Sequence, residues 1–154
     1  MRQGYWFFLS IAVLILDQLS KYWVSLNLIP YTPVPIIPMF NLTLAYNTGA
    51  AFSFLSAAGT WHHWFFAVFG VLVCIILIIW LLRSDSMLKL QSVAISLILG
   101  GAVGNLIDRA LHGHVIDFID LYYKHYHFAT FNIADSAICI GAALLILDLF
   151  IQGE

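Results

Sequence analysis

Residues 64–82 read WFFAVFGVLVCIILIIWLL and contain no charged side chain. A membrane-spanning helix needs about 20 mostly apolar residues, so this stretch, extended to 61–82, predicts a transmembrane helix. The composition of the whole chain agrees with that prediction: 62% of its 154 residues are hydrophobic and its mean hydropathy is +0.95. Soluble domains are only about 45–50% apolar. The sequence therefore predicts an integral membrane protein.

Three weaker apolar stretches predict further spans, because each is long enough to cross a bilayer but carries polar or charged residues. They lie at residues 9–26, 92–111 and 133–151. We expect residues 1–154 to form one all-α membrane domain of four transmembrane helices. An even number of spans places both termini on the same side of the membrane.

The basic residues predict the orientation of these spans, since cytoplasmic loops carry an excess of Lys and Arg. Arg2, Arg83 and Lys89 would lie together on one side, whereas the other side has Lys124 and, near the end of span one, Lys21. We therefore expect both termini in the cytoplasm.

The two loops on the outer side, residues 27–60 and 112–132, are too apolar for simple solvated connectors. The first contains all four prolines and then residues 40–47, in which polar and apolar side chains partly alternate, a pattern typical of a strand. The second contains the apolar run 115–122. We expect a small extracytoplasmic β platform at the membrane–water boundary.

Several classes of function are disfavoured by composition. Only 9% of the residues are charged and the net charge is −2, which argues against a nucleic-acid partner. Cys74 and Cys139 fall in apolar segments, so we expect buried small side chains rather than a disulfide or metal site. The histidine pairs lack the His-Glu-x-x-His spacing of a zinc site, and no Gly-x-Ser-x-Gly turn is present. We expect no metal and no cofactor.

Asp117 and Asp135 are the strongest candidates for chemistry. Ionisable groups at membrane depth are costly and usually functional, and these two are predicted at the outer ends of spans three and four. Taken singly, Asp135 reads as a first-turn helix acid and Asp117 as a loop acid. With Asn132 three residues before Asp135, they read as one site. Two close carboxyls share a proton, so one can take a proton from water while the other polarises a carbonyl.

Two other polar groups have helical spacing. Asp17 and Lys21 are four residues apart on one helix face, which favours a structural ion pair. Asn105, Asp108 and Arg109 share a face of span three. Asp108 would orient Arg109 or cap nearby backbone, and Arg109 would offer a planar fork of donors to a substrate carbonyl. For this trio, structural and functional roles both stay open.

With these residues in hand, the chain closely resembles the bacterial lipoprotein signal peptidases, also called type II signal peptidases. Five blocks match in order over nearly the whole length. They are DQLSK at 17–21, NTGAAF at 47–52, GAVGNLIDR at 101–109, VIDF at 115–118 and FNIADS at 131–136.

The resemblance implies an aspartyl endopeptidase of the bacterial inner membrane with four transmembrane helices and a small periplasmic β cradle. It implies substrates that are prolipoproteins carrying diacylglycerol on the lipobox cysteine, cut just before that cysteine at the periplasmic face. Asp117 and Asp135 would be the catalytic pair. By the same matching, Asn47, Asn105, Arg109 and Asn132 would face substrate, and Asp17, Lys21, Gly49, Gly104 and Asp108 would support the site.

Two rival hypotheses use the same residues differently. In a small proton- or ion-relay subunit, the carboxylates would pass charge across the membrane. A relay should scatter ionisable groups through the membrane thickness, whereas here they cluster in the outer third and residues 64–82 have none. In a non-catalytic assembly protein, the polar groups would only lock helices together, and removing one aspartate would then cost folded protein rather than activity.

Overall fold

The computed structural model describes residues 3–49, 61–83 and 89–152 and contains four long helices in that part of the chain. All four are long and apolar enough to cross a membrane, which confirms the predicted fold class. A short 3₁₀ turn, Gln3–Trp6, precedes the first. The helices are α1 (Phe7–Asn27), α2 (Trp61–Arg83), α3 (Lys89–His112) and α4 (Ile133–Gln152).

Helix α3 is the centre of the bundle, since it packs against each of the other three helices. Its Ile95 and Leu99 join a buried cluster with Cys74, Leu77 and Leu81 of α2. The opposite side of α2 is apolar but exposed. A helix that is hydrophobic all round and has an uncovered apolar side is typical of one that faces lipid.

A four-stranded antiparallel sheet lies beside the helices, in the order β1-β2-β3-β4. The two central strands are those that the sequence predicts, whereas the short outer strands were not predicted. β1 contains Pro35, and proline within a sheet is confined to edges. The strands are β1 (Val34–Ile37), β2 (Phe40–Asn47), β3 (Val115–Tyr123) and β4 (Tyr126–His127).

The sheet is fixed to one end of the helix bundle by a second apolar cluster. Val24, near the end of α1, packs there with Leu44 of β2 and with Ile116 and Phe118 of β3. β3 begins shortly after α3 ends, and an isolated bridge joins Ile119 to Phe131 just before α4. The start of β3 and the start of α4 are thereby brought together at the junction of sheet and bundle.

The two cysteines do not share one environment. Cys74 is buried, as predicted, but Cys139 is exposed on α4, so the prediction of two buried cysteines is wrong for Cys139. The physical reason is that an apolar segment in a membrane helix also has an outward side, where apolar residues contact lipid rather than a protein core. Both thiols are free.

Candidate active site

The first turn of α4 is closed by a reciprocal pair of hydrogen bonds. Asn132 stands immediately before the helix, and its Oδ1 accepts the backbone N–H of Asp135 at 2.8 Å. Oδ2 of Asp135 accepts the backbone N–H of Asn132 at 3.3 Å. This is the arrangement of a capping box, with an aspartate as the third helical residue. The helix-end role of Asp135 is therefore real, and its other oxygen, Oδ1, remains for a second partner.

Asp117 on β3 is 1% exposed, and each of its carboxyl oxygens accepts a side-chain amide. Nδ2 of Asn132 donates to Oδ1 at 2.8 Å, and Nδ2 of Asn47 donates to Oδ2 at 3.0 Å. Burial, together with the negative charge of nearby Asp135, raises the pKa of Asp117 to about 7, although the two amide donors act to lower it. This carboxyl therefore changes its protonation state near neutral pH.

Asn105 on α3 connects the second carboxyl to the same network. Its Nδ2 donates to Oδ1 of Asp135 at 2.7 Å. Its Oδ1 accepts from Nζ of Lys21 at 3.1 Å and from Nδ2 of Asn132 at 3.2 Å. Three asparagine amides thus hold the two predicted carboxyls at one site, although they come from a strand, a helix interior and a helix end.

A buried ion cluster lies behind these amides. Nζ of Lys21 is 2.7 Å from Asp17, as the helical spacing predicts, and 2.8 Å from Asp108. All three side chains are buried. With Asn105 as the third acceptor, the three N–H groups of the ammonium each have a partner. Charges this deeply buried are tolerable only when paired and hydrogen-bonded in this way.

The two aspartates of the ion cluster also hold backbone at the entry to the site. Oδ1 of Asp17 accepts the N–H of Ala134 in α4 at 2.9 Å. Oδ2 of Asp108 accepts the N–H of Ile116 in β3 at 3.1 Å. The residues next to Asp117 and Asp135 are therefore fixed by charge-assisted bonds. Of the two roles open for Asp108, capping backbone is the one that the contacts show.

Two glycines of the predicted motifs lie where a side chain would not fit. A Cβ at Gly104 would come within 2.5 Å of the Asp17 carboxyl, so glycine lets α1 and α3 approach. Gly49 has a φ of +86°, a region that favours glycine. Its N–H donates to Oδ1 of Asn47 at 2.9 Å, which turns Nδ2 of Asn47 toward Asp117. The rest of that motif, residues 50–52, lies outside the described residues.

Arg109 is placed by contacts other than those predicted. Its Nη1 donates to the backbone carbonyl of Asn105 at 3.5 Å, and its Cζ is 5.6 Å from the ring centre of Phe66. The negative charges of Asp135 and Asp117 attract its guanidinium, but among the described residues it forms no salt bridge. Its guanidinium donors can therefore serve a bound molecule.

Two further residues of this region were not selected from the sequence. Phe66 lies under Arg109 and also stands 2.8 Å from where a Cβ of Gly49 would be. Nothing distinguishes this phenylalanine in a wholly apolar helix. Gln18 donates its amide to Oδ1 of Asp108 at 3.0 Å. Its position inside the motif block 17–21 is the sequence feature that could have identified Gln18 as part of this region.

Three hollows reach the network from different sides. One of about 280 Å³ lies among α2, α3 and α4 and ends at Asn105 and Arg109. A second of about 220 Å³ opens onto Asp117 from the sheet. A third, of about 290 Å³, has an apolar wall of phenylalanines and ends at Asp135. The carboxyls are thus reachable, although Asp117 itself is almost fully covered.

Potential metal ligands do not gather at this site or elsewhere in residues 3–49, 61–83 and 89–152. No three His, Cys, Asp or Glu side chains lie close enough there to hold an ion. The predicted site residues hold one another through amide and ammonium donors instead. The site offers a proton-exchanging carboxyl, a second carboxyl within its electrostatic reach and, within the described residues, a guanidinium without a carboxylate partner.

Fold and site together define a class of protein: a polytopic membrane protein with two carboxyls brought together where a small sheet meets the helix bundle. Residues 9–151 match the model of the signal peptidase (SPase) II family, and the chain belongs to that family of membrane peptidases.

Relatives and solved structures agree with this assignment. The chain is 52% identical over 149 residues to the lipoprotein signal peptidase of Photorhabdus laumondii subsp. laumondii, covering 97% of this chain and 89% of the relative. It is 50% identical to that of Shewanella piezotolerans, covering 97% and 88%. Two solved bacterial membrane enzymes have the same fold. One has a TM-score of 0.86 and 35% identity, covering 98% of this chain and 90% of that one. The other has a TM-score of 0.84 and 36% identity, covering 95% and 92%.

Proposed function

We propose that the chain is an aspartyl endopeptidase that cuts diacylglyceryl-modified prolipoproteins just before the lipidated cysteine. Asp117 and Asp135 would be its catalytic pair. The observation that carries the proposal is that Asn132 binds both residues, through Oδ1 of Asp117 and the backbone N–H of Asp135. The type of substrate follows from the relatives, which are lipoprotein signal peptidases.

The pair works when it holds one proton. Burial and the charge of Asp135 raise the pKa of Asp117 to about 7, so Asp117 can hold the single proton of the pair near neutral pH. The ionised Asp135 takes a proton from water as the oxygen attacks the scissile carbonyl carbon. Asp117 donates its proton to the carbonyl oxygen. When the C–N bond breaks, Asp135 passes the proton that it took from water to the leaving amine, and Asp117 takes a proton back from a hydroxyl of the tetrahedral intermediate, so the singly protonated pair returns.

The asparagines give this pair its geometry before substrate arrives. Asn47 and Asn132 hold Asp117, and Asn105 and Asn132 hold Asp135, so neither carboxyl has to be reoriented during the reaction. Among the described residues the guanidinium of Arg109 donates only to the backbone carbonyl of Asn105, and we propose that its other donors bind a peptide carbonyl next to the scissile bond. Preorganised donors of this kind lower the barrier because they cost no reorganisation during the reaction.

The surroundings suit a substrate that is largely apolar and still held in the membrane. The hollow of about 280 Å³ beside Arg109 is lined mainly by apolar side chains of three helices, so an apolar segment or acyl chain can lie there. We further propose that the sheet and the carboxyl pair face the periplasm of the bacterial inner membrane. Arg83 ends α2 and Lys89 begins α3, on the side of the bundle away from the sheet. Both residues would then lie in the cytoplasm with the two termini.

The deciding experiment uses purified protein and a synthetic diacylated lipobox peptide. The wild type should release a product that begins at the lipidated cysteine. Asp117→Asn and Asp135→Asn should each lower turnover by about a hundredfold or more, because positioned acid–base groups contribute that much. Asp120→Asn is the matched control, since Asp120 lies on the same strand but is bound by Asn41, Thr43 and His127. Near-normal turnover by either of the first two folded variants would reject the pair.

A further inference from the structure

The end of the β3–β4 hairpin, residues 121–128 (LYYKHYHF), is exposed and aromatic, and of these residues only Phe128 lines a hollow of the site described above. Tyr123 is 60% exposed, Tyr126 81% and Phe128 70%. We call residues 121–128 the aromatic tip. Large apolar side chains grouped on a surface mark a place where something else is bound.

The exposed rings share one side of the hairpin. Tyr123 pairs across the strands with Tyr126, and Phe128 follows two residues later, so the three rings point the same way. The three rings border a hollow of about 450 Å³ whose other lining residues are Met39, Leu121, Tyr122 and His127. The tip thus presents a continuous aromatic surface rather than scattered side chains.

The charge of the aromatic tip is positive or neutral and never negative. Lys124 and His125 are exposed at the turn, and Nζ of Lys124 lies 5.5 Å from the ring centre of Tyr123. The acid closest to the tip in the sequence is Asp120. It is 3% exposed, and its Oδ1 is 2.8 Å from Nδ1 of His127. An electrostatically complementary partner therefore carries negative charge.

The aromatic surface is continuous with a side of α4 that is exposed in the part of the chain that the structure describes. Phe128 also lines the hollow of about 290 Å³ whose other walls include Phe131 and, on α4, Ser136 and Cys139. Cys139 and the following residue, Ile140, are exposed on this apolar helix. Phe131 and Phe128 thus connect the exposed apolar side of α4 to the hairpin.

We propose that the aromatic tip binds the anionic phospholipid headgroups of the membrane that the helices span. Aromatic rings prefer the headgroup level of a bilayer, and a basic side chain near an anionic surface adds attraction. Lys124 and His125 would lie against the phosphates, with Tyr123, Tyr126 and Phe128 among the upper acyl carbons. Asp117 lies on the same strand, so this contact holds the carboxyl pair at the bilayer surface.

The test needs no catalysis, so its result is separate from that of the proposed function. Full-length protein with Cys74→Ala, Cys139→Ser and Tyr126→Cys is labelled at the new cysteine with an environment-sensitive fluorophore. It is then reconstituted into lipid nanodiscs, with one protein molecule in each disc. The discs contain either zwitterionic lipid alone or the same lipid with phosphatidylglycerol, and a small share of headgroup spin-labelled lipid as quencher. The matched variant adds Lys124→Glu and His125→Glu, which leaves His127 and its contact with Asp120 intact.

We expect strong quenching in the anionic discs, weakened by salt. In the double glutamate variant, the equilibrium constant for contact between the tip and the membrane should fall about fivefold or more. This is the contribution of one basic residue near such a surface. Equal quenching in both lipids and in both proteins, or none in any disc, would overturn the proposal. A fluorescence signal that does not change with lipid composition but changes when a diacylated lipobox peptide is added would also overturn it. The tip would then be a surface that binds substrate.

Discussion

Lys21 sets the orientation of the Asn105 amide. Nζ of Lys21 lies 3.1 Å from Oδ1 of Asn105, so the amide nitrogen is left to donate to Oδ1 of Asp135 at 2.7 Å. An ammonium can only donate and a carboxylate can only accept, so the amide between them has one satisfactory orientation. The buried ion cluster therefore fixes the donor to one of the two carboxyls that we propose to be catalytic.

Replacing Lys21 with methionine should cost both stability and turnover. Asp17 and Asp108 would stay buried without their cation, which costs about 3–5 kcal/mol when one partner of a buried pair is removed. Thermal unfolding in detergent measures this loss. Lys89→Met is the control, because Lys89 is exposed at the start of α3 and its loss should change little.

A triple variant separates the two effects of Lys21. Lys21→Met with Asp17→Asn and Asp108→Asn removes the stranded charges and should regain much of the thermal stability. Turnover should stay low, since the Asn105 amide then loses its ammonium donor and Oδ1 keeps only the neutral amide of Asn132. Recovery of turnover in the triple variant would show that Asn105 does not depend on Lys21.

The pH dependence of kcat/KM should report the carboxyl pair. Activity should fall as pH rises through about 7, because Asp117 then loses the proton that it donates. Asn47→Ala removes a donor that favours the ionised form, so the pKa of Asp117 should rise. The falling limb should consequently move to higher pH.

Asn41→Ala is the matched control for Asn47→Ala, since both asparagines lie on β2 and each donates to an aspartate of β3. Nδ2 of Asn41 binds Asp120 at 3.1 Å and Nδ2 of Asn47 binds Asp117 at 3.0 Å. The Asn41 variant should leave the limb in place. A limb that moves equally in both variants, or to lower pH in the Asn47 variant, would contradict the assignment of Asp117.

Arg109→Lys should weaken substrate handling although it keeps the charge. A guanidinium offers a planar fork of donors and stacks on aromatic faces, and an ammonium does not reproduce both. Cζ of Arg109 already lies 5.6 Å from the Phe66 ring centre. Binding and turnover of the diacylated peptide should be measured separately, with Arg109→Ala alongside. Unchanged values for the lysine variant would leave only the charge, or nothing, as the contribution of Arg109.

Thiol labelling should place the sheet outside the cytoplasm. In a protein lacking Cys74 and Cys139, single cysteines are introduced at Thr32 and Ser86. Thr32 is exposed near the sheet and outside the aromatic tip, and it should react with a membrane-impermeant reagent in intact spheroplasts. Ser86, between α2 and α3, should react only after lysis. The reverse pattern would put the carboxyl pair in the cytoplasm and reject a site for exported prolipoproteins.

Turnover should survive metal chelators and serine-directed reagents. The proposed steps use only carboxyl groups and water, and the sequence has neither a zinc motif nor a nucleophile turn. Cleavage of the diacylated peptide is measured after dialysis against chelator. Loss of activity that zinc restores would overturn the aspartyl mechanism.

Much of the fold was predictable because its signals are local. A run of about 20 apolar residues is enough to define a spanning helix, and alternation over eight residues is enough to define a strand such as β2. The pair of Asp17 and Lys21 followed from their spacing of four on one helix. β1 was missed because it is only four residues long and Pro35 interrupts it, so no alternation marks it although Val and Ile favour strands.

The spans, the two central strands and the two carboxyls worth testing can be predicted without coordinates. Hydropathy and periodicity act over a few residues, and charge is expensive in an apolar chain. Which side chains meet depends on the packing of helices and sheet. Lys21 and Asn105 are 84 residues apart, and Asn47 and Asp117 are 70 apart. Such contacts depend on how helices and sheet pack together, and no local pattern encodes the direction in which an amide donates.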